Sequence, residues 1–88
     1  MDKVLETAVD TYGAYAQMDM AIEEMAELTK EICKSKRGRA NRKEVIEEIA
    51  DVEIMLEQLK YILQIDPEDI DYVKDTKISR LADKLARR

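Results

Sequence analysis

The sequence predicts an all-α protein of four helices, and three observations carry that prediction. Apolar residues make up 45% of the 88-residue chain, yet Phe and Trp are absent and Tyr supplies all of the aromatic content. The core must then be Leu, Ile, Val, Met and Ala, without the β-branched and aromatic runs that mark strands. Only two Gly and one Pro are present, which leaves material for few turns. Finally, the apolar residues recur at spacings of three and four, the period of a helix with one buried side.

The first helix is short, roughly Asp2 to Tyr12, and Gly13 marks a break. The second runs from about Ala14 to Lys36, with Met18, Ile22, Met25, Leu28, Thr29 and Ile32 as its expected buried stripe. Ser35 to Asn41, carrying Gly38, is the only clear mid-chain loop. Asn41 with Glu44 three residues later suits an N-cap supported by an acid at N3. The third helix is expected from about Arg42 to Gln64, with Val45, Ile49, Val52, Leu56, Leu59 and Leu63 on its stripe. Asp66 and Pro67 then stop it and start the fourth, Asp as N-cap and Pro at the first helical position. The fourth helix reaches about Leu85, with Ile70, Val73, Ile78, Leu81 and Leu85 as its apolar side.

A chain this short is one domain, spanning 1–88, and long helices in so small a domain leave apolar faces uncovered. Association with copies of itself is the usual remedy, so a homo-oligomer is expected, dimer or tetramer. The net charge of −5, with 40% of residues charged, lacks the basic balance of a nucleic-acid binder. The single Cys33 rules out an internal disulfide and fits a reducing interior. No apolar run is long enough to span a membrane, and Met1–Asp10 carries no signal-peptide pattern, so a soluble cytoplasmic protein is expected.

Two acidic segments stand out: Glu23-Glu24-Met25-Ala26-Glu27 in the second helix and Glu47-Glu48-Ile49-Ala50-Asp51 in the third. Acids three residues apart share a helix side, so two such helices side by side can aim four carboxylates at one point. Hard divalent cations want oxygen ligands so arranged, with water and phosphate completing the shell. Spacing by itself is weak evidence, because 20 acids in a helical chain of this length give on the order of four such pairs by chance. Helical-wheel position adds to it. Glu48 falls between Met55 and Leu59 inside the apolar arc, and Asp51 lies near Met55 and Ile62. Glu24 flanks its own stripe beside Ala21 and Leu28, with Glu27 further out. An acid in an apolar arc needs a partner, either a cation or a neighbouring Lys or Arg.

The two segments together, Glu23-Glu24-x-x-Glu27 and then Glu48-x-x-Asp51 after twenty residues, resemble the signature of the MazG-like and dimeric dUTPase-like all-α nucleoside triphosphate pyrophosphohydrolases. Tyr12-Gly13, Gln17 and Ala21–Leu28 are similar to that family's lead into its first metal-binding helix, and Ile46–Val52 to its second. The resemblance covers about Tyr12 to Leu85. It implies a four-helix bundle completed by homo-oligomerisation. It also implies Mg²⁺-dependent hydrolysis of a (deoxy)nucleoside triphosphate to the monophosphate and pyrophosphate, with Mn²⁺ as a possible substitute. By the family pattern Glu24, Glu27, Glu48 and Asp51 hold the metal. Glu48 is then catalytic through the metal, and Glu23 is the acid that would assist a nearby water or else remain on the solvated surface. Lys77-Ile78-Ser79-Arg80 fits the family's Lys-x-x-Arg element that meets substrate phosphates, although the Asn expected two residues before the Lys is Asp75 here.

Blander readings stand beside these. Lys77 and Arg80 also suit a helix C-terminus, whose dipole end is negative. The loop cations Lys34, Lys36, Arg37, Arg39, Arg42 and Lys43 serve solubility as readily as triphosphate attraction. Tyr12 and Tyr15 are more commonly packing residues than base-stacking ones. A phosphoribosyl-ATP pyrophosphohydrolase of the same superfamily is the enzymatic alternative, and a non-catalytic helical oligomerisation module the alternative of another class. A ferritin-like di-iron centre is excluded, since it uses Glu-x-x-His pairs and the chain has no His.

Overall fold

A computed structural model describes residues 2–88, and among them there are four α-helices and no strand. They are α1 (Lys3–Tyr12), α2 (Ala14–Lys36), α3 (Arg42–Ile62) and α4 (Pro67–Ala86). The order and number are those the periodicity predicts. Each start has a local cause. Asp2, Asn41 and Asp66 each accept a hydrogen bond from the backbone N–H two residues on, at Val4, Lys43 and Glu68, which satisfies one orphaned donor of the first turn. Pro67 then opens α4, where its missing N–H costs nothing.

The helix ends are equally local. Gly13 has φ 97°, a value favoured by glycine, and turns the chain from α1 into α2 without a loop. At the end of α2, Gly38 takes φ 69°, its N–H bonding to the Ser35 carbonyl at 3.0 Å. The Arg39 N–H reaches the Lys34 carbonyl at 2.9 Å, so the pair forms a Schellman cap. The same motif closes α3 with Gln64 in the left-handed position at φ 53°. There the Gln64 N–H bonds to Tyr61 O and the Ile65 N–H to Lys60 O. This ends α3 at Ile62, two residues before the Gln64 expected from periodicity.

The short turn between α2 and α3 brings them back against each other as an antiparallel hairpin, which is the main packing unit. α1 lies across its open end, burying Val9. Gln58, only 2% exposed, donates from Nε2 to the Leu5 carbonyl, and the Tyr61 hydroxyl donates to Asp10 at 2.9 Å. By contrast α4 makes almost no contact with the other three helices, and none of its residues is fully buried.

The face that packs coincides only in part with the expected one. On α2 the covered residues are Gln17, Ala21, Glu24, Leu28 and Glu31, spaced four, three, four, three. They face a matching row on α3 of Val45, Glu48, Val52, Met55, Leu59 and Ile62. This is a heptad seam, but a polar one on the α2 side. Of the stripe expected to be buried on α2, Met18 and Leu28 are partly covered, whereas Ile22, Met25, Thr29 and Ile32 face outward, Ile22 66% and Ile32 52% exposed. On α3 the expected Val45, Val52 and Leu59 do lie in the seam, while Ile49, Leu56 and Leu63, seven residues apart, are exposed. Among the described residues no element covers the outward parts of these stripes.

The overall dimensions agree. The radius of gyration is 16.1 Å, against about 12 Å for a compact domain of this length. The shape is a slab 18 Å thick in its shortest direction. Among the described residues no helix is long and apolar enough to cross a membrane.

Candidate metal centre

The polar half of the α2–α3 seam gathers acids. Glu24 and Glu31 occupy seam positions of α2, and Glu48 occupies one on α3, with Asp51 a turn further along. Ala21, 2% exposed, sits in the seam one turn before Glu24, and its single methyl lets the two backbones approach there. The result is that one carboxylate oxygen from each of Glu24, Glu48 and Asp51 lies within 4.8 Å of the other two, all three side chains being half-buried.

No positive charge answers them. The ion pairs among the described residues are Lys34 with Glu31 at 3.2 Å and Lys60 with Glu57 at 2.9 Å, and neither involves the three clustered acids. The Oε2 atom of Glu48 is buried and has no hydrogen-bond partner. A neighbouring Lys or Arg, one of the two partners the sequence left open for Glu48, is therefore not supplied by the described residues of its own chain.

The electrostatic consequence is a raised carboxyl pKa at two of the three positions. Burial raises that of Glu24, followed by the charges of Asp51 and Glu48, a side-chain hydrogen bond with Asp51, and the charge of Glu27. Burial likewise raises that of Glu48, followed by the charges of Asp51, Glu27, Glu31 and Glu47. Every contribution has the same sign. Like charges pressed together in a partly desolvated groove favour the neutral acid unless a cation joins them.

The donor set fits a hard divalent ion: carboxylate oxygens from two rigid helices, close together, with one buried lone pair unused. The remaining expected residues are placed as follows. Glu27 is exposed and outside the three-membered cluster, though its charge reaches both Glu24 and Glu48. Glu23 is exposed on the solvent side of α2. Lys77 and Arg80 are exposed on α4, the helix that makes almost no contact with the other three. Within one chain they stand apart from the acids.

Glu31 escaped sequence reasoning. It is 6% exposed and lies in the same seam as Glu24. Its signal was present in the spacing, since Glu24 and Glu31 are one heptad apart and must share a helix side. It was obscured because the more apolar stripe on the adjacent side of α2 looked like the buried one.

The fold and site define an all-α protein with a carboxylate cluster able to coordinate a divalent cation, consistent with metal-dependent hydrolysis in general. Comparison with models of known protein families, with curated proteins and with solved structures gave no match.

Proposed function

We propose that this protein is a Mg²⁺-dependent nucleotide pyrophosphohydrolase of the MazG-like kind, cleaving a (deoxy)nucleoside triphosphate to its monophosphate and pyrophosphate. The observation that carries the proposal is the convergence of Glu24, Glu48 and Asp51 with no ion pair to them among the described residues. The sequence pattern Glu23-Glu24-x-x-Glu27 and Glu48-x-x-Asp51 supplies the reaction class.

In this reading Glu24, Glu27, Glu48 and Asp51 hold the ion, Glu27 by a rotation of its exposed side chain. When bound, Mg²⁺ (or Mn²⁺) supplies charge neutralisation of the phosphates and polarisation of the reacting phosphoryl group. The chain's own contribution is positional. The paired helices fix the carboxylates, so little reorganisation is needed when charge develops. Glu23, exposed on α2, is in this reading the acid that accepts a proton from an attacking water. A triphosphate carries nearly four negative charges, so the phosphates further from the acids need cations of the protein. Lys77 and Arg80 fit that role by residue type, and because α4 makes almost no contact with the other helices, in this reading a second copy brings them.

The same slab shape supports a homo-oligomer, dimer or tetramer. The accessible surface is 7205 Å², about 1,900 Å² more than the roughly 5,300 Å² expected for a compact monomer of this mass. An excess of that size on each chain is in the range that permanent homodimers bury. The exposed thiol of Cys33 suits a reducing compartment such as the cytoplasm.

The test is pyrophosphate release from a panel of NTPs, dNTPs and phosphoribosyl-ATP with and without Mg²⁺, beside Glu48→Gln. Release that needs both the ion and Glu48 is expected, and the preferred member of the panel separates the two pyrophosphohydrolase substrates. A folded wild-type protein that releases pyrophosphate from none of them and binds no divalent ion would make it a helical oligomerisation module.

A further inference from the structure

A helix in a protein owes most of its stability to the apolar side that it packs. In the second half of α4, Ile78, Leu81 and Leu85 follow one another at spacings of three and four and share such a side. They are 62%, 53% and 53% exposed, and α4 makes almost no contact with the other three helices. Charge along α4 is divided between its ends. Its start carries Glu68, Asp69, Asp71 and Asp75 with Lys74, whereas from Lys77 onward Arg80, Lys84, Arg87 and Arg88 stand against a single acid, Asp83.

A receptor of matching chemistry lies on the same chain. A groove of about 880 Å³ runs between α1, α3 and the start of α4, its mainly apolar walls including Leu5, Ala50, Ile54 and Ile70. Glu53 and Glu57 also line it, with Lys60 and Lys74. Lys60 pairs with Glu57 at 2.9 Å and Lys74 sits among the acids of α4, while Glu53 has no ion pair among the described residues. The chain's own α4 cannot fill this groove with its far end, because it leaves from the groove wall at Ile70 as one unbroken helix, Pro67–Ala86. A second copy can.

We propose that α4 is an exchanged arm: its basic, apolar second half seats in the α1–α3 groove of a second copy, antiparallel to that copy's α4, and the exchange is reciprocal. The inference rests on the homo-oligomer reading above and deepens it by naming the surfaces that meet. Antiparallel placement sets the basic half of one α4 beside the acidic start of the other and beside Glu53, and a two-fold axis repeats the contact. An amphipathic helix laid in an apolar groove is a common mode of recognition. Two such contacts draw on the surplus surface of each chain, about 1,900 Å² over a compact monomer. The groove also passes Ala50, the residue before Asp51, so a seated arm carries its cations along α3 toward the acid cluster.

The experiment is sedimentation velocity on the full chain with two charge-reversed variants, one of the groove (Glu53→Lys with Glu57→Lys) and one of the arm (Lys84→Glu with Arg87→Glu). Each alone should raise the concentration of half-dissociation by about tenfold or more, with helical content by circular dichroism retained. An equimolar mixture should restore assembly, since the heterodimer has one wild-type contact and one in which both charges are reversed. Variants that weaken assembly without rescue by mixing overturn the arm exchange and leave the homo-oligomer standing, and so do variants that assemble like wild type. Should a charge variant fail to fold, Leu81→Ala decides, and assembly unchanged by it refutes the proposal. A wild type that is monomeric at every concentration overturns the homo-oligomer reading itself. If that monomer co-sediments with phosphatidylserine-containing vesicles, the occupant facing the basic half of α4 is an anionic lipid surface instead.

Discussion

Truncating Ile22 to Ala tests whether the outward stripe of α2 is an interface. The residue is 66% exposed in the single chain, so a partner must cover about two thirds of its side chain. The substitution removes three carbons at about 0.8 kcal/mol each, and two thirds of that is about 1.6 kcal/mol per copy. In a two-fold symmetric dimer the change occurs twice, giving about 3 kcal/mol, or roughly two orders of magnitude in the dissociation constant. Sedimentation velocity over a concentration series is the assay. The expected result is a dimer or larger for wild type and a shift of the monomer transition to about hundredfold higher concentration for Ile22→Ala. Helical content should be retained where the variant is associated, because Ile22 makes little of the α2–α3 seam. Wild type that sediments as a monomer at every concentration, or a variant indistinguishable from it, would refute the argument from exposed area.

The raised pKa values of Glu24 and Glu48 make a pH prediction for the metal-free protein. The folded state binds these protons more tightly than the unfolded chain does. Stability therefore falls as pH rises from the ordinary carboxylate range through the raised folded values, and it stays lower above them. Glu48→Gln removes one of the repelling charges, so its Tm at neutral pH without metal should exceed that of wild type and depend less on pH in that window. A lower Tm would mean that Glu48 has a structural partner. Gly38→Ala probes the cap of α2. With no neighbour within 4 Å of an added Cβ and φ 69°, the cost is backbone strain alone, about 1–2 kcal/mol. That should appear as a lower urea midpoint with an unchanged slope, and an unaltered midpoint would contradict the Schellman geometry.

Much of the fold was legible in the sequence because its causes are local. The caps at Asp2, Asn41 and Asp66, the Pro67 start and the glycine turns act within a few residues, so they mark helix limits before any packing is known. The boundary that shifted most, at Ile62, moved because Gln64 entered a left-handed conformation that residue type alone does not announce. Acids three residues apart on a helix also share a side by geometry, which put Glu24 with Glu27 and Glu48 with Asp51 as pairs. Sequence could not say which side of each helix meets the other. Periodicity marks an apolar stripe and favours burying it, but the hairpin buries the adjacent seam of Gln17, Ala21, Glu24 and Glu31 and leaves Ile22 and Ile32 outside. That choice is tertiary: a helix has more than one side to offer, and which one packs depends on the partner's surface and on whether a second chain stands ready for the other. The same choice put Glu31 in the seam with Glu24 and left Lys77 and Arg80 on a helix that makes almost no contact with the others. Sequence determined the helices, their ends and the acidic pairs, which follow from contacts a few residues long. Only the tertiary structure decided which carboxylates converge, because that depends on the rotation of two helices about their own axes when they meet.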